Sequence, residues 1–437
     1  MDSLITAGLL LFFVFLYLGL GIWIFAGILL VGLSTLYFLL GLPVDRIGAI
    51  VKGTMWNSAD SWEISAVPVF MWMGDLIFRT DISQRLFRGL SPWVNGLPGR
   101  LVHTNVIGSA LFAAVCGSSV ATTATIGKIT LKELLSRGYD NNLSVGSLAA
   151  SGALGIMIPP SIVMIIYGVM TNTSIARLFA AGFLPGLLCA ALYSAYIAAA
   201  ALIKPSLVPA SPQVYTHADR MRGLKDLGPL FFLILVVLGS IYGGIATPNE
   251  AGSMGLAATV LVIALTGQFS WKMMIESLFS TVCLTSMLLT IVITAAFMSA
   301  TISYLHLPQQ AAAYVASMDI GPLEFLAILG VFYAFLGLFL EGVSIFVTTL
   351  PLAFPVMVKL GFDPVWFGIF LVIAVELGCL SPPVGVNLYV LQGLTGQSLG
   401  RLAWASVPFC LLLLLSCILI TIFPQIVLWL PHMLYDG

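Results

Sequence analysis

Two short runs of hydroxyl residues interrupt an otherwise apolar chain. GSSVATTATIG at 117–127 carries Ser118, Ser119, Thr122, Thr123 and Thr125, and EGVSIFVTT at 341–349 carries Ser344, Thr348 and Thr349. Hydroxyl and carbonyl oxygens are hard donors that suit a cation such as Na⁺. A second motif, Gly-x-x-x-Pro-Pro, occurs at Gly155, Pro159 and Pro160 and again at Gly378, Pro382 and Pro383. Proline lacks an N–H and clashes with the preceding turn, so each double proline splits a helix in two. The first half then presents carbonyl oxygens and the second half N–H groups. The carbonyls suit Na⁺, and the N–H groups suit a carboxylate or sulfonate. This chemistry places Na⁺ on Ser118, Ser119, Thr122 and Gly155 in one half and on Ser344, Thr348 and Gly378 in the other. It places an organic anion on Thr123, Pro160, Ser161, Thr349, Pro383 and Asn387. The plainer alternatives are a simple proline kink and hydroxyls bonded back to their own helices.

Other reactive groups offer less. Asp75, Glu341 and Glu376 sit in apolar surroundings, where an acid is a functional candidate. Asp75 precedes a polar stretch and can simply reach the interface. Glu250, in the run ATPNEAG, reads either as a first-turn acid favoured by the helix dipole or as a structural contact. The six cysteines form no CxxC pair and the four histidines no HExxH, so neither a redox centre nor a metalloenzyme is indicated. No nucleophile–base pair for an intramembrane enzyme is evident either.

The elements that hold these residues must lie in a membrane. Of 437 residues, 60% are hydrophobic and 8% charged, and mean hydropathy is +1.08. A soluble domain carries about 25% charged residues, so a soluble enzyme is excluded. The net charge of −1 leaves no basic face for nucleic acid. Long continuous apolar runs fit spanning helices rather than an alternating barrel. Such runs occur near 4–21, 23–42, 64–78, 144–171 and 177–203, then near 228–245, 249–267, 273–303, 364–393 and 402–429. The segments 99–137 and 322–360 fit no simple span and read as re-entrant hairpins, which are tolerated where buried in protein or lining a cavity. The N-terminus MDSLITAGLL has no basic run and reads as a retained first span.

The halves repeat. Gly155 and Gly378 lie 223 residues apart, as do Pro185 and Pro408, and Ser174 and Ser398 lie 224 apart. The chain therefore reads as an all-α polytopic membrane protein of two repeats, 1–203 and 227–437, joined by a cytoplasmic linker at 204–226. Each repeat has five spans, one re-entrant hairpin and one broken helix. Five spans invert the second copy relative to the first, as in many secondary transporters. With both termini outside, only Arg46, Lys52, Arg177 and Lys359 of the 17 Lys and Arg residues fall outside, in keeping with the positive-inside rule.

GSSVATTATIG, GALGIMIPPSIVMIIYG (152–168), ATPNEAG (246–252) and LGCLSPPVGVN (377–387) together resemble the large membrane subunit of a tripartite ATP-independent periplasmic (TRAP) transporter. That family is similar in fold to divalent-anion/Na⁺ symporters. The resemblance implies residence in a bacterial inner membrane and an elevator mechanism, in which 99–171 and 322–393 move against a scaffold through arms at 82–95 and 307–318. It implies Na⁺-driven import of an organic acid delivered by a periplasmic substrate-binding protein. It also implies a small four-helix membrane subunit as partner, and no cofactor beyond the coupling Na⁺. The alternatives are a stand-alone Na⁺/anion symporter of the same superfamily and, from another class, a channel or structural membrane protein.

Overall fold

The computed structural model describes residues 3–209, 215–307, 309–310, 313, 321–338, 340, 342–381 and 385–436. Glu341, Pro382, Pro383 and most of the second arm lie outside the described residues. All regular structure among the described residues is helical. A helix satisfies its backbone groups within its own segment, as a lipid environment demands. Among the described residues, seven helical stretches are long and apolar enough to cross a membrane: Asn141–Thr171, which includes the first break, Ile175–Ile203, His217–Tyr242, Pro248–Leu265, Trp271–Tyr304, Gly342–Lys359 and Leu399–Ile422.

The chain begins with α1 (Ser3–Gly19) and α2 (Ile24–Ser34), the latter extended by a π-helical turn at Thr35–Leu39. Next comes α3 (Val44–Ala59), a helix that the apolar runs do not reveal. Its composition is mixed, but Ile47, Ile50, Val51 and Met55 recur at helical spacing and pack with Leu36 and Phe297. After α4 (Ala66–Phe78), the amphipathic α5 (Ile82–Val94) covers the segment expected as the first arm and buries Ile82, Leu86, Phe87, Leu90 and Val94. It crosses α11 (His217–Tyr242) so closely that a Cβ on Gly89 would lie 2.8 Å from the Gly223 carbonyl oxygen. Helix α11 starts inside the 204–226 segment because Thr216 and Asp219 form a capping box there.

The first hairpin is α6 (His103–Cys116) with α7 (Ser119–Ser136), followed by α8 (Asn141–Met157), α9 (Ile162–Thr171) and α10 (Ile175–Ile203). In the second half, α12 (Pro248–Leu265) and α13 (Trp271–Tyr304) precede the hairpin α14 (Pro322–Leu336) and α15 (Gly342–Lys359). Then come α16 (Pro364–Leu380), α17 (Val386–Thr395), α18 (Leu399–Ile422) and α19 (Gln425–Tyr435). The run expected as one helix at 402–429 is two, because the chain turns at Phe423 and Pro424 before α19.

The two hairpins and two broken helices interlock. Helix α7 packs on α17, α15 on α9, and α8 on α16, while α6 lies on α8 and α14 on α16. Polar ties hold the halves together: the Tyr167 hydroxyl donates to the Pro364 carbonyl at 2.6 Å. The side-chain amides of Asn141 and Gln397 exchange bonds of 3.0 and 2.8 Å. The elements that carry the hydroxyl clusters and the breaks therefore form one packed body.

Candidate functional site

The first tip is built on a left-handed turn. Gly117 has φ +68°, and a Cβ there would lie 2.7 Å from the Pro160 carbonyl oxygen, so only glycine meets both demands. Ser118 caps α7 by accepting from the Ala121 N–H at 3.4 Å. Across from it, α8 ends at Met157, the bond between Pro159 and Pro160 is cis, and Ser161 caps α9 by accepting from the Met164 N–H at 3.4 Å. The second half-helix thus starts at Ile162, two residues later than the prolines alone suggest, because Ser161 is its cap. The Ile162 N–H reaches the Gly117 carbonyl at 3.4 Å, which ties the tip to the break.

Gly155 is not a bend, since α8 runs through it to Met157. It is a close-approach point instead. A Cβ there would lie 2.5 Å from the Ser118 carbonyl oxygen and 2.7 Å from Thr122 Oγ1. One turn earlier, Gly152 abuts Thr123 Oγ1 in the same way. Thr122 and Thr123 are both fully buried, and neither hydroxyl has an oxygen or nitrogen partner among the described residues; Thr122 has only the weakly bonding Cys116 thiol beside it. A buried hydroxyl left unpaired costs about 1–3 kcal/mol. Their neighbours behave otherwise: Thr125 donates to the Ala121 carbonyl at 2.7 Å and Thr130 to the Ile126 carbonyl at 2.9 Å. Ser119 is buried beside them. Ser118, Ser119, Thr122, Thr123, Gly155, Pro160 and Ser161 therefore gather at one place, where Gly155 contributes backbone and space rather than a kink.

The second tip is arranged differently. Thr348 donates to the Ser344 carbonyl and Thr349 to the Ile345 carbonyl, each at 2.7 Å, so both hydroxyls bond back to α15. Each oxygen keeps acceptor capacity. Gly378 meets the other arm of this hairpin, with a Cβ there 2.6 Å from the Ala334 carbonyl oxygen and from Gly337 Cα. The start of α15 is brought to α16 through Gly342, a Cβ on which would lie 3.5 Å from Val375. Asn387, at the start of α17, is fully buried and donates its amide to Glu376 at 3.3 Å. Its side-chain oxygen has no partner among the described residues. Glu376 is 1% exposed and belongs to this polar cluster.

Glu250 and Asp75 are accounted for locally, and Glu341 lies outside the described residues. Glu250 accepts from the Thr247 N–H at 2.8 Å in an exposed capping box, so the first-turn reading holds and no contact to the interlocked body is needed. Asp75 pairs with Arg79 at 2.7 Å, and Arg79 reaches Glu276 at 3.2 Å, an arrangement suited to the membrane interface. The roles of Gly152 and of Asn105, which bonds Ser144 and Ser147 of α8, escape sequence reasoning. The three-residue spacing of Gly152 and Gly155 is the one signal that marks this close-packed face.

Comparison with known proteins adds the family. The family described as "Tripartite ATP-independent periplasmic transporter, DctM component" matches residues 9–426. The C4-dicarboxylate TRAP transporter large permease protein DctM of Rhodobacter capsulatus is 33% identical over 423 residues, covering 92% of this chain and 94% of that protein. The sialic acid TRAP transporter large permease protein SiaM of Vibrio cholerae is 30% identical, covering 87% and 88% respectively. In fold, the chain is similar to the crystal structure of the Alcanivorax borkumensis YdaH transporter, with TM-score 0.61 and 15% identity over 88% of this chain and 90% of that one. The apolar helices fit a multi-pass membrane protein, the matched relatives are transporter permease subunits, and the chain belongs to the family of large permease components, the DctM type, of tripartite ATP-independent periplasmic transporters.

Proposed function

We propose that this permease imports an organic acid, carboxylate or sulfonate, across the bacterial inner membrane by coupling it to Na⁺ in an elevator mechanism. The observation that carries the reading is the pair of buried hydroxyls of Thr122 and Thr123, without an oxygen or nitrogen partner, against the α8 glycines. Two free oxygens beside the Ser118 carbonyl and the last carbonyls of α8 form the donor set of a hard cation. A second Na⁺ belongs at Ser344, Thr348 and the backbone near Gly378. The anion then lies at the starts of α9 and α17, met by N–H dipoles, Ser161, Thr123, Thr349 and Asn387.

The interlocked α6–α9 and α14–α17 are the moving body in this reading. Helices α1, α2, α11 and α12 are the scaffold, to which α4 is added by its packing on α12 and α13. A periplasmic binding protein delivers the substrate and a small four-helix subunit completes the scaffold. The names of the relatives span chemically diverse substrates, C4-dicarboxylate and sialic acid among them, so the acid itself is set by the binding protein and the residues around the anion.

Thermal unfolding of the purified chain in NaCl against KCl at equal ionic strength tests the cation site. A bound ion stabilises the native state by mass action, about 2.7 kcal/mol at a hundred times its Kd. The expected result is a saturable rise in midpoint with Na⁺ alone. Identical midpoints in the two salts would remove the reading.

A further inference from the structure

A groove opens where the start of α8, the end of α10 and the start of α18 meet. Its volume is about 550 Å³. Lys204 and Arg401 stand at its mouth, both exposed, and neither forms an ion pair among the described residues. Asp140 also lines the mouth, but its carboxylate is engaged as the α8 cap, accepting from the Leu143 N–H at 2.8 Å. Trp404, beside the cations, is 78% exposed. Deeper in, the rings of Tyr196 on α10 and Phe409 on α18 close the floor with centroids 5.0 Å apart.

The depth is set by helix geometry. Tyr196 precedes Lys204, and Phe409 follows Arg401, each by eight residues. At 1.5 Å per residue, both walls descend about 12 Å from charge to ring. The lining thus changes from cations through an indole to an apolar wall, in the order of a phospholipid from phosphate to acyl chain. Indole rings favour the headgroup level, and basic pockets between spanning helices hold anionic headgroups. A small water-soluble anion would match the mouth but not the floor.

We propose that this groove binds an anionic phospholipid, with its phosphate between Lys204 and Arg401 and an acyl chain along Tyr196, Pro408 and Phe409. The site is separate from the tips and breaks, and the inference stands whether or not Na⁺ drives transport. Because α8 and α18 pack closely at Gly146 and Ala405, the lipid would brace the helix that carries the first break.

Native mass spectrometry of the full chain, titrated with phosphatidylglycerol or phosphatidylcholine of identical acyl chains, tests the proposal. The expected result is at least fivefold greater retention of phosphatidylglycerol, not displaced by excess inorganic phosphate. Lys204→Ala with Arg401→Ala should abolish the preference, Lys204→Arg with Arg401→Lys should keep it, and Lys272→Ala should leave it unchanged. Ala200→Trp, which fills the groove wall with both cations intact, should also lose phosphatidylglycerol, and it decides the question if the double alanine variant does not fold. Equal retention of the two lipids, an undiminished preference in the double alanine or Ala200→Trp variant, or displacement by phosphate would overturn the proposal.

Discussion

Thr122 shows how a single residue distinguishes a cation site from a packing detail. Its hydroxyl is buried with no oxygen or nitrogen partner, so Thr122→Val removes a polar atom that the ion-free fold pairs only weakly, with the Cys116 thiol. In K⁺, the variant should unfold at or above the wild-type midpoint. In Na⁺, it should lose the stabilisation that the wild type shows. A variant that is destabilised equally in both salts would mark Thr122 as structural. Ser119→Ala and Ser344→Ala should each raise the Na⁺ concentration needed for half-maximal uptake, and an unchanged Na⁺ dependence in both would sink the assignment. The hydroxyl clusters themselves were legible in the sequence, because eight small polar residues in two short apolar runs are hard to place otherwise. Which hydroxyls are free was not legible. Thr125, Thr348 and Thr349 bond back to their own helices, and Thr122 and Thr123 do not. That difference depends on what lies opposite each side chain, and for Thr122 and Thr123 it is Gly155 and Gly152 of another helix.

At the scale of elements, proline chemistry predicted the break between α8 and α9 and located it within two residues. Pro159→Ala together with Pro160→Ala should let the helix continue, since an interior proline costs about 3 kcal/mol relative to alanine. The carbonyls now exposed at the end of α8 would be consumed, and uptake should fall at least tenfold while the protein remains folded. Wild-type uptake would show the break to be architectural. Motion of the hairpin can be arrested directly. A Cβ on Gly74 of α4 would lie 3.6 Å from the Cys116 sulfur at the first tip, within reach of a disulfide. Oxidised Gly74→Cys protein should stop transporting and recover on reduction. Full transport with the cross-link complete would mean that α4 and the tip move together. Elements whose signal is not hydropathy were missed. Helix α3 is amphipathic and mixed in composition, so its packing on Leu36 and Phe297 becomes visible only in three dimensions. The tight Gly378 and Gly337 contact was likewise not legible, because a glycine signals close approach and helix weakening alike in one dimension.

For the whole molecule, the membrane class followed from charge scarcity, and the long helices bear it out. The orientation rests on the Lys and Arg distribution. A membrane-impermeant thiol reagent applied from outside a cysteine-free background should label Lys359→Cys and spare Arg137→Cys, and the reverse pattern would overturn the topology. Partner dependence and ion coupling meet in one experiment: uptake into liposomes holding the chain with its small subunit, supplied with the cognate binding protein and labelled ligand. With an inward Na⁺ gradient, ligand should accumulate. Accumulation should vanish when K⁺ replaces Na⁺, and it should be small for the chain alone or with a non-cognate binding protein. Equal uptake in K⁺ would contradict the coupling on which the account rests.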